Sequence, residues 1–334
     1  MKKILVINII LLLFVFLISE ITSYCILLGR YKEALENFNI ITENKTVIPL
    51  NYKKTTLETK KDLLSSFRPI EERNTKKRPI ILFGCSYTEG FGLKDKQTFS
   101  YKLANYTNRT IINRGKSGTG LNFLYLQLSE EEIRKTLPKN PEYIIYTLIP
   151  DHFARLYRYR AFILGDLSLR YKIKNNKLVQ DKPIFINPHS LFTILLLEEY
   201  IEQTKYKNDF ENFTLFNKVM DESYKLIKEH YPYTKFVILY YEGPHDINNE
   251  ILDETLKKYI KQNEDIILIE VNKELPEIQK NREYWQIDEE HPSSQAWNLI
   301  VPMVAKKLNI NPVHHWYQCR NCCIHSYAIW YSLL

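Results

Sequence analysis

Short apolar runs alternate along this chain with stretches of helical periodicity. The runs fall near 80–83, 110–113, 142–149, 235–240 and 265–271; the helical stretches fall near 97–106, 119–136, 211–230, 251–262 and 293–308. A continuous run such as Ile80-Ile81-Leu82-Phe83 predicts a strand buried on both faces. Strand–helix alternation predicts a parallel sheet with helices on both sides. With right-handed crossovers, the economical arrangement is a flavodoxin-like three-layer α/β/α sandwich. The helix at 293–308, with Ala296, Leu299, Ile300, Met303 and Val304 on one stripe, closes the domain.

Other segments stand apart from this plan. Lys2-Lys3 precede an apolar stretch from Ile4 to Ile18 broken only by Asn8, and apolar residues recur to Leu28. A bilayer needs about 20 such residues, so 1–28 reads as an N-terminal transmembrane or signal helix. No small-x-small cleavage site follows, which favours an uncleaved signal anchor over a removed peptide. The expected localisation is membrane-anchored and extracytoplasmic, periplasmic or at the cell surface, or secreted if the segment is cleaved. Residues 29–78 are mixed and charged and read as a partly helical stalk or lead-in before a domain at 79–310. An insertion at about 153–210 opens with Arg155-Leu156-Tyr157-Arg158-Tyr159-Arg160, and within it Leu191–Leu197 reads as a buried or lid helix. Arg155 and Arg158 are candidate substrate contacts, as a clamp for an anionic or sugar-containing polymer; a solvated edge of stacked arginines is the alternative. Residues 311–334 form an appendage rich in His, Trp and Cys.

Composition narrows the classes. The 334 residues carry 46 basic and 39 acidic side chains, a net charge of +7. That permits attraction to anionic surfaces but does not argue for a nucleic-acid partner. Five cysteines include none paired through the 79–310 region, so disulfides do not hold that domain together. Cys319-x-x-Cys322 lacks the second pair of a zinc signature, and no metal or organic cofactor is expected.

The candidate chemistry lies where Gly84 breaks the first apolar run. Ser86 follows at the carboxyl end of a central strand, where open α/β sheets place their ligands. A helix start there offers backbone N–H groups to developing negative charge. Two hundred residues on, Asp288 and His291 stand three apart, just ahead of the closing helix. A serine hydroxyl needs an imidazole to accept its proton and a carboxylate to hold the tautomer. Taken singly, Ser86 reads as a helix cap and Asp288 as a turn cap. Taken together, in these places of an α/β chain, they read as nucleophile, base and orienting acid.

The chain at this point resembles the SGNH/GDSL hydrolases. Gly84-Cys85-Ser86-Tyr87-Thr88-Glu89-Gly90 is similar to the family's first block, Asn113-Arg114-Gly115-Lys116-Ser117-Gly118 to its second, and Asp288-x-x-His291 to its last. The resemblance covers roughly 79–308. It implies a serine esterase with the catalytic residues Ser86, Asp288 and His291, and an oxyanion hole built from the N–H groups of Ser86 and Gly118. Two departures matter. Cys85 stands where the family has aspartate, and the third block's asparagine is replaced by Leu148-Ile149-Pro150-Asp151-His152. Proline has no N–H, and His152 is the candidate substitute donor. The implied substrate is an O-acyl group, acetyl first, on a cell-envelope carbohydrate or lipid. The alternatives are an O-acyltransferase of surface polysaccharide using the same triad, and a catalytically silent envelope binding or assembly protein on the same scaffold.

Overall fold

A computed structural model describes residues 16, 18–20, 67–74, 76–157, 171–180, 213–243, 250–288 and 290–313. Most of the anchor and stalk, Arg158, the 191–197 segment and the tail from His314 lie outside the described residues. Among the described residues no helix is long and apolar enough to cross a membrane.

The strands are β1 (Ile80–Gly84), β2 (Ile111–Gly115), β3 (Tyr143–Leu148), β4 (Tyr171–Lys174), β5 (Lys177–Gln180), β6 (Lys235–Tyr240) and β7 (Ile267–Glu270). The helices are α1 (Ser86–Glu89), α2 (Phe99–Thr107), α3 (Leu121–Ser129), α4 (Glu131–Arg134), α5 (Asp151–Tyr157), α6 (Thr214–His230), α7 (Glu250–Gln262), α8 (Val271–Glu274), α9 (Glu277–Lys280) and α10 (Ser294–Lys307). The chain divides into two compact units, Met1–Lys53 with Phe153–Lys218, and Lys54–His152 with Val219–Leu334.

The second unit holds a five-stranded sheet in the order β2-β1-β3-β6-β7. Every strand pair in it is parallel. This is the flavodoxin-like order, in which the chain reverses direction of travel across the sheet between β1 and β3. Ile80 pairs with Ile111 on one side and with Tyr143 on the other, so β1 is central. All five of its residues are buried, as its unbroken apolar run predicts. Ile80, Leu82, Tyr143, Ile145, Val237 and Leu239 join α2 and α10 in one core through Phe99, Leu103, Trp297, Ile300 and Val304. The Phe99 and Trp297 rings stack at 4.9 Å. On the opposite face β1 meets α3. Three layers result.

The five sheet strands match the predicted runs to within two residues, but other expectations are corrected. The lead-in ending at 78 is not all stalk. Glu71 bridges to Ile111, and Arg73 hydrogen-bonds Asn105 at 2.8 Å. The Arg114 guanidinium lies 4.7 Å over the Phe67 ring. Residues 67–74 therefore belong to the α/β unit, held by side-chain donors that look solvated in the sequence. The helix predicted over 119–136 is broken at Glu130, which is extended at φ −81° and ψ 112°. Arg134 reaches back to the Leu128 carbonyl at 2.7 Å and caps the end of α3.

In the other unit, the predicted insertion contains the antiparallel hairpin β4–β5. Asn175 and Asn176 at its tip both take left-handed conformations, φ 51° and 58°. Asparagine tolerates that region, and two such residues make a type I′ turn.

Gly84 has φ +151°, and a Cβ there would lie 2.2 Å from Thr88 Oγ1. Gly84→Ala is expected to destabilise the protein by at least about 2 kcal/mol, combining backbone strain with overpacking. Chemical denaturation measures this, and an unchanged midpoint would remove the close approach of β1 to α1.

Candidate active site

The turn that carries Ser86 is built around Gly84. It lets the chain leave β1 and enter α1 with Thr88 folded back against the strand, its hydroxyl on the Phe83 carbonyl at 3.3 Å. Ser86 is the first residue of α1 and only 6% exposed. Its N–H is one of the donors that a helix start leaves unpaired within the helix. The helix stops after one turn because Gly90 adopts φ 75°, with the N–H groups of Gly90 and Phe91 both donating to the Ser86 carbonyl. Arg68 caps this turn from outside. Its guanidinium donates to the carbonyls of Glu89 at 3.0 Å, Gly90 at 2.8 Å and Leu93 at 2.9 Å.

His291 and Asp288 lie on a loop closed by a bridge between Trp285 and Pro292. Gln286 N–H donates to the His291 carbonyl at 2.8 Å. Arg282 donates to the carbonyls of Trp285 at 3.1 Å and Ile287 at 3.0 Å, and also to that of Gln286. Two bonds tie this loop to the nucleophile turn: Gln286 Nε2 to the Phe91 carbonyl at 2.8 Å, and Tyr87 Oη to the Glu290 carbonyl at 2.6 Å. The imidazole sits between aromatic rings, 5.6 Å from Tyr87 and 5.1 Å from Phe91.

Within this frame His291 Nε2 lies 2.9 Å from Ser86 Oγ, and His291 Nδ1 lies 2.7 Å from Asp288 Oδ2. The carboxylate can only accept, so Nδ1 carries the proton. Nε2 is then left with a lone pair for the serine hydroxyl. Asp288 Oδ1 accepts the N–H groups of Glu290 and His291, each at 3.0 Å. The turn cap and the orienting acid are thus one side chain. Burial works to raise the Asp288 carboxyl. The hydrogen bond and charge of His291, with the two backbone N–H groups, outweigh it, and the net shift is below the usual carboxylate range.

Gly118 occupies the third position of a turn in which Thr119 N–H donates to the Lys116 carbonyl at 3.2 Å. Its φ of 75° with no positive φ at Ser117 is a type II turn, which favours glycine there. The central N–H of that turn makes no hydrogen bond among the described residues. The turn is anchored to β1 by Lys116 N–H on the Gly84 carbonyl at 3.0 Å.

The other predicted site residues fall differently. His152 is fully buried, with Nδ1 2.7 Å from the Tyr146 hydroxyl. Pro150 leads from the end of β3 into α5, so the arginine–tyrosine run is helical as far as Tyr157, and its remainder lies outside the described residues. Arg155 is half-buried on that helix, and Arg158 is outside the described residues. Cys85 is fully buried in the core cluster that also holds Phe99 and Trp297. Among the described residues no group of three His, Cys, Asp or Glu side chains is placed to hold a metal.

Sequence reasoning passed over Glu89 and Asn113, although both stand inside the motifs. Asn113 Nδ2 donates to the Thr88 carbonyl at 2.7 Å and its Oδ1 accepts Gly115 N–H at 2.9 Å, joining the ends of β2 and α1. Gln286 and Arg68 carry no local signal, because they reach carbonyls distant in the chain, and Arg282 carries none because its partners are backbone carbonyls of an irregular loop.

No protein-family model matches the sequence, and no curated protein does. Solved structures do match. The chain is similar to a lipolytic protein of the G-D-S-L family from Veillonella parvula DSM 2008, at 13% identity and a TM-score of 0.44, over 69% of this chain and 97% of that one. It is also similar to the lipase Lip_vut3 from a goat rumen metagenome, at 17% identity and a TM-score of 0.43, over 69% of this chain and 97% of the other. A carbohydrate esterase family 2 enzyme from Corynascus thermopiles matches at 14% identity and a TM-score of 0.42, over 70% and 67% of the two chains. These neighbours are lipolytic hydrolases and esterases. The chemistry of this chain is argued from its own site.

A carboxylate with a depressed folded-state pKa contributes stability above the ordinary carboxylate range and loses it as pH falls through the folded value. Below about pH 4 the melting temperature should therefore fall more steeply in the native protein than in Asp288→Asn. Calorimetry across pH reads this. Parallel curves would mean that Asp288 gains nothing from His291.

Proposed function

We propose that the protein is a serine esterase acting through an acyl-serine intermediate. The observation that carries the reading is the unbroken chain of contacts Ser86 Oγ, His291 Nε2, His291 Nδ1 and Asp288 Oδ2, at 2.9 and 2.7 Å. Both separations fall in the range a nucleophile–base–orienter relay requires.

In this reading Ser86 Oγ attacks the ester carbonyl carbon while its proton passes to His291 Nε2. The imidazolium that forms is stabilised by Asp288, which remains ionised. The carbonyl oxygen becomes an oxyanion facing the N–H groups of Ser86 and Gly118. Collapse breaks the carbon–oxygen bond to the alcohol, which leaves with the proton from Nε2. Water then attacks the acyl-serine with His291 again as base, releasing the acid and restoring the hydroxyl. Loss of one oxyanion donor typically costs about 10²–10³ in rate. With Pro150 where the family has asparagine, the two backbone donors carry more of that stabilisation.

The substrate we propose is an acetyl ester on a carbohydrate or lipid of the cell envelope. The apolar N-terminal segment and the mild excess of positive charge support that setting. The burial of Ser86 favours a small acyl group over a bulky one.

A fluorophosphonate probe is expected to label the native protein and not Ser86→Ala. His291→Ala should lower turnover of 4-nitrophenyl acetate by several orders of magnitude, about 10³ or more. A native protein that neither labels nor hydrolyses would leave a silent scaffold. Acetyl transfer to an added oligosaccharide, in place of acetate release, would make the protein a transferase with the same triad.

A further inference from the structure

The Gly118 turn is held by a side chain from the nucleophile's own helix. Glu89, three residues after Ser86, accepts the Ser117 N–H on Oε2 at 2.6 Å. The same oxygen accepts the Ser117 hydroxyl. Oε1 lies 3.7 Å from Lys116 Nζ, with the side chains of Glu89 and Lys116 only 17% and 25% exposed. One carboxylate thus grips two consecutive residues of the turn that presents the Gly118 N–H. Its own backbone is fixed from the other side by Arg68 on the Glu89 carbonyl.

We infer that Glu89 is a positioning residue for the oxyanion hole, acting through Ser117 to aim the Gly118 N–H. This rests on the esterase reading above. The argument is geometric. In a type II turn the central peptide has no partner within the turn, so its orientation depends on how the flanking peptides are fixed. Lys116 N–H is fixed by the Gly84 carbonyl and Ser117 N–H by Glu89, which leaves the Gly118 N–H as the next donor in line. Both anchors belong to the segment that carries Ser86. The nucleophile and the proposed donor therefore move as one body, which is what electrostatic preorganisation requires. The missing third-block asparagine makes this alignment matter more, because no side-chain amide stands at that strand end to share the charge.

Displacing a catalytic contact by about 1 Å can cost on the order of 10² in rate. Glu89→Ala should accordingly lower kcat for 4-nitrophenyl acetate about 10²-fold while KM changes less than about twofold, since the lost interaction exists only in the transition state. Ser117 amide exchange should become faster in the variant. Glu89→Gln, which keeps one acceptor oxygen, should recover part of the rate, and Ser117→Ala should lose less than Glu89→Ala. Wild-type kcat in Glu89→Ala would overturn the inference and leave the esterase reading intact. Should Glu89→Ala fail to fold, the near-isosteric Glu89→Gln and Ser117→Ala decide: wild-type kcat in both overturns it. If the native protein proves inactive and unlabelled while its Ser117 amide remains protected, the esterase reading fails and takes the proposed role of Glu89 with it.

Discussion

The contact on which the site depends is the hydrogen bond between Ser86 Oγ and His291 Nε2, made between residues 205 apart in the chain. A hydrogen bond contributes a net of only about 1 kcal/mol, far too little to hold two such distant segments together. The apolar core does that. Phe99 on α2 and Trp297 on α10 stack just beyond the two site segments, and both are fully buried. Burying one large side chain stabilises by about 1.5–3 kcal/mol, so a few such contacts outweigh the site's own bonds. The meeting of Ser86, His291 and Asp288 is therefore a consequence of the packing between α2, α10 and the sheet.

What the core cannot do is fix the last ångström, because apolar contacts are not directional. That task falls to side chains that donate to backbone carbonyls. Arg68 holds three carbonyls at and just beyond the end of α1, and Arg282 holds three in the His291 loop. Gln286 and Tyr87 then join the two loops directly. Irregular backbone around a buried site leaves carbonyls without ladder partners, and each would carry a desolvation penalty if left unmet. The long polar side chains meet that need and, in doing so, lock the loops. Satisfying the backbone and preorganising the site are here the same interaction.

The fold was legible wherever one period dominated a stretch. β1 and β3 are buried at every residue, so their sequences run almost wholly apolar, and the sheet order follows from chain order and handedness. Ser86, Asp288 and His291 stood out because the proposed roles need particular residue types at an element end and at short spacing, and the structure brings the three side chains within hydrogen-bond reach. Other features resisted for physical reasons. The break at Glu130 turns on Arg134 capping α3, a choice that helix propensity in a glutamate-rich segment does not reveal. The docking of 67–74 rests on arginines that look solvated until their carbonyl partners are known. His152 follows the strand end at which a donor was wanted, and the bond of its Nδ1 to the Tyr146 hydroxyl has no counterpart in the local sequence pattern.

The last block also shows why spacing alone can carry so much chemistry. Asp288 uses one oxygen to accept the N–H groups two and three residues on, and the other to accept Nδ1 of His291. Only a short side chain reaches back to its own following backbone in this way, as an Asx turn does. One more methylene, as in glutamate, would move the carboxylate outward and part the two functions. Capping also removes the loop's main freedom, because the peptide that carries His291 is held by the same group that orients its ring. The imidazole is then fixed in both position and tautomer by a single residue three places upstream. A four-residue segment is thus enough to supply both the base and the orienting acid of the proposed mechanism, and the remaining requirement falls on how the sheet and α10 bring that segment to Ser86.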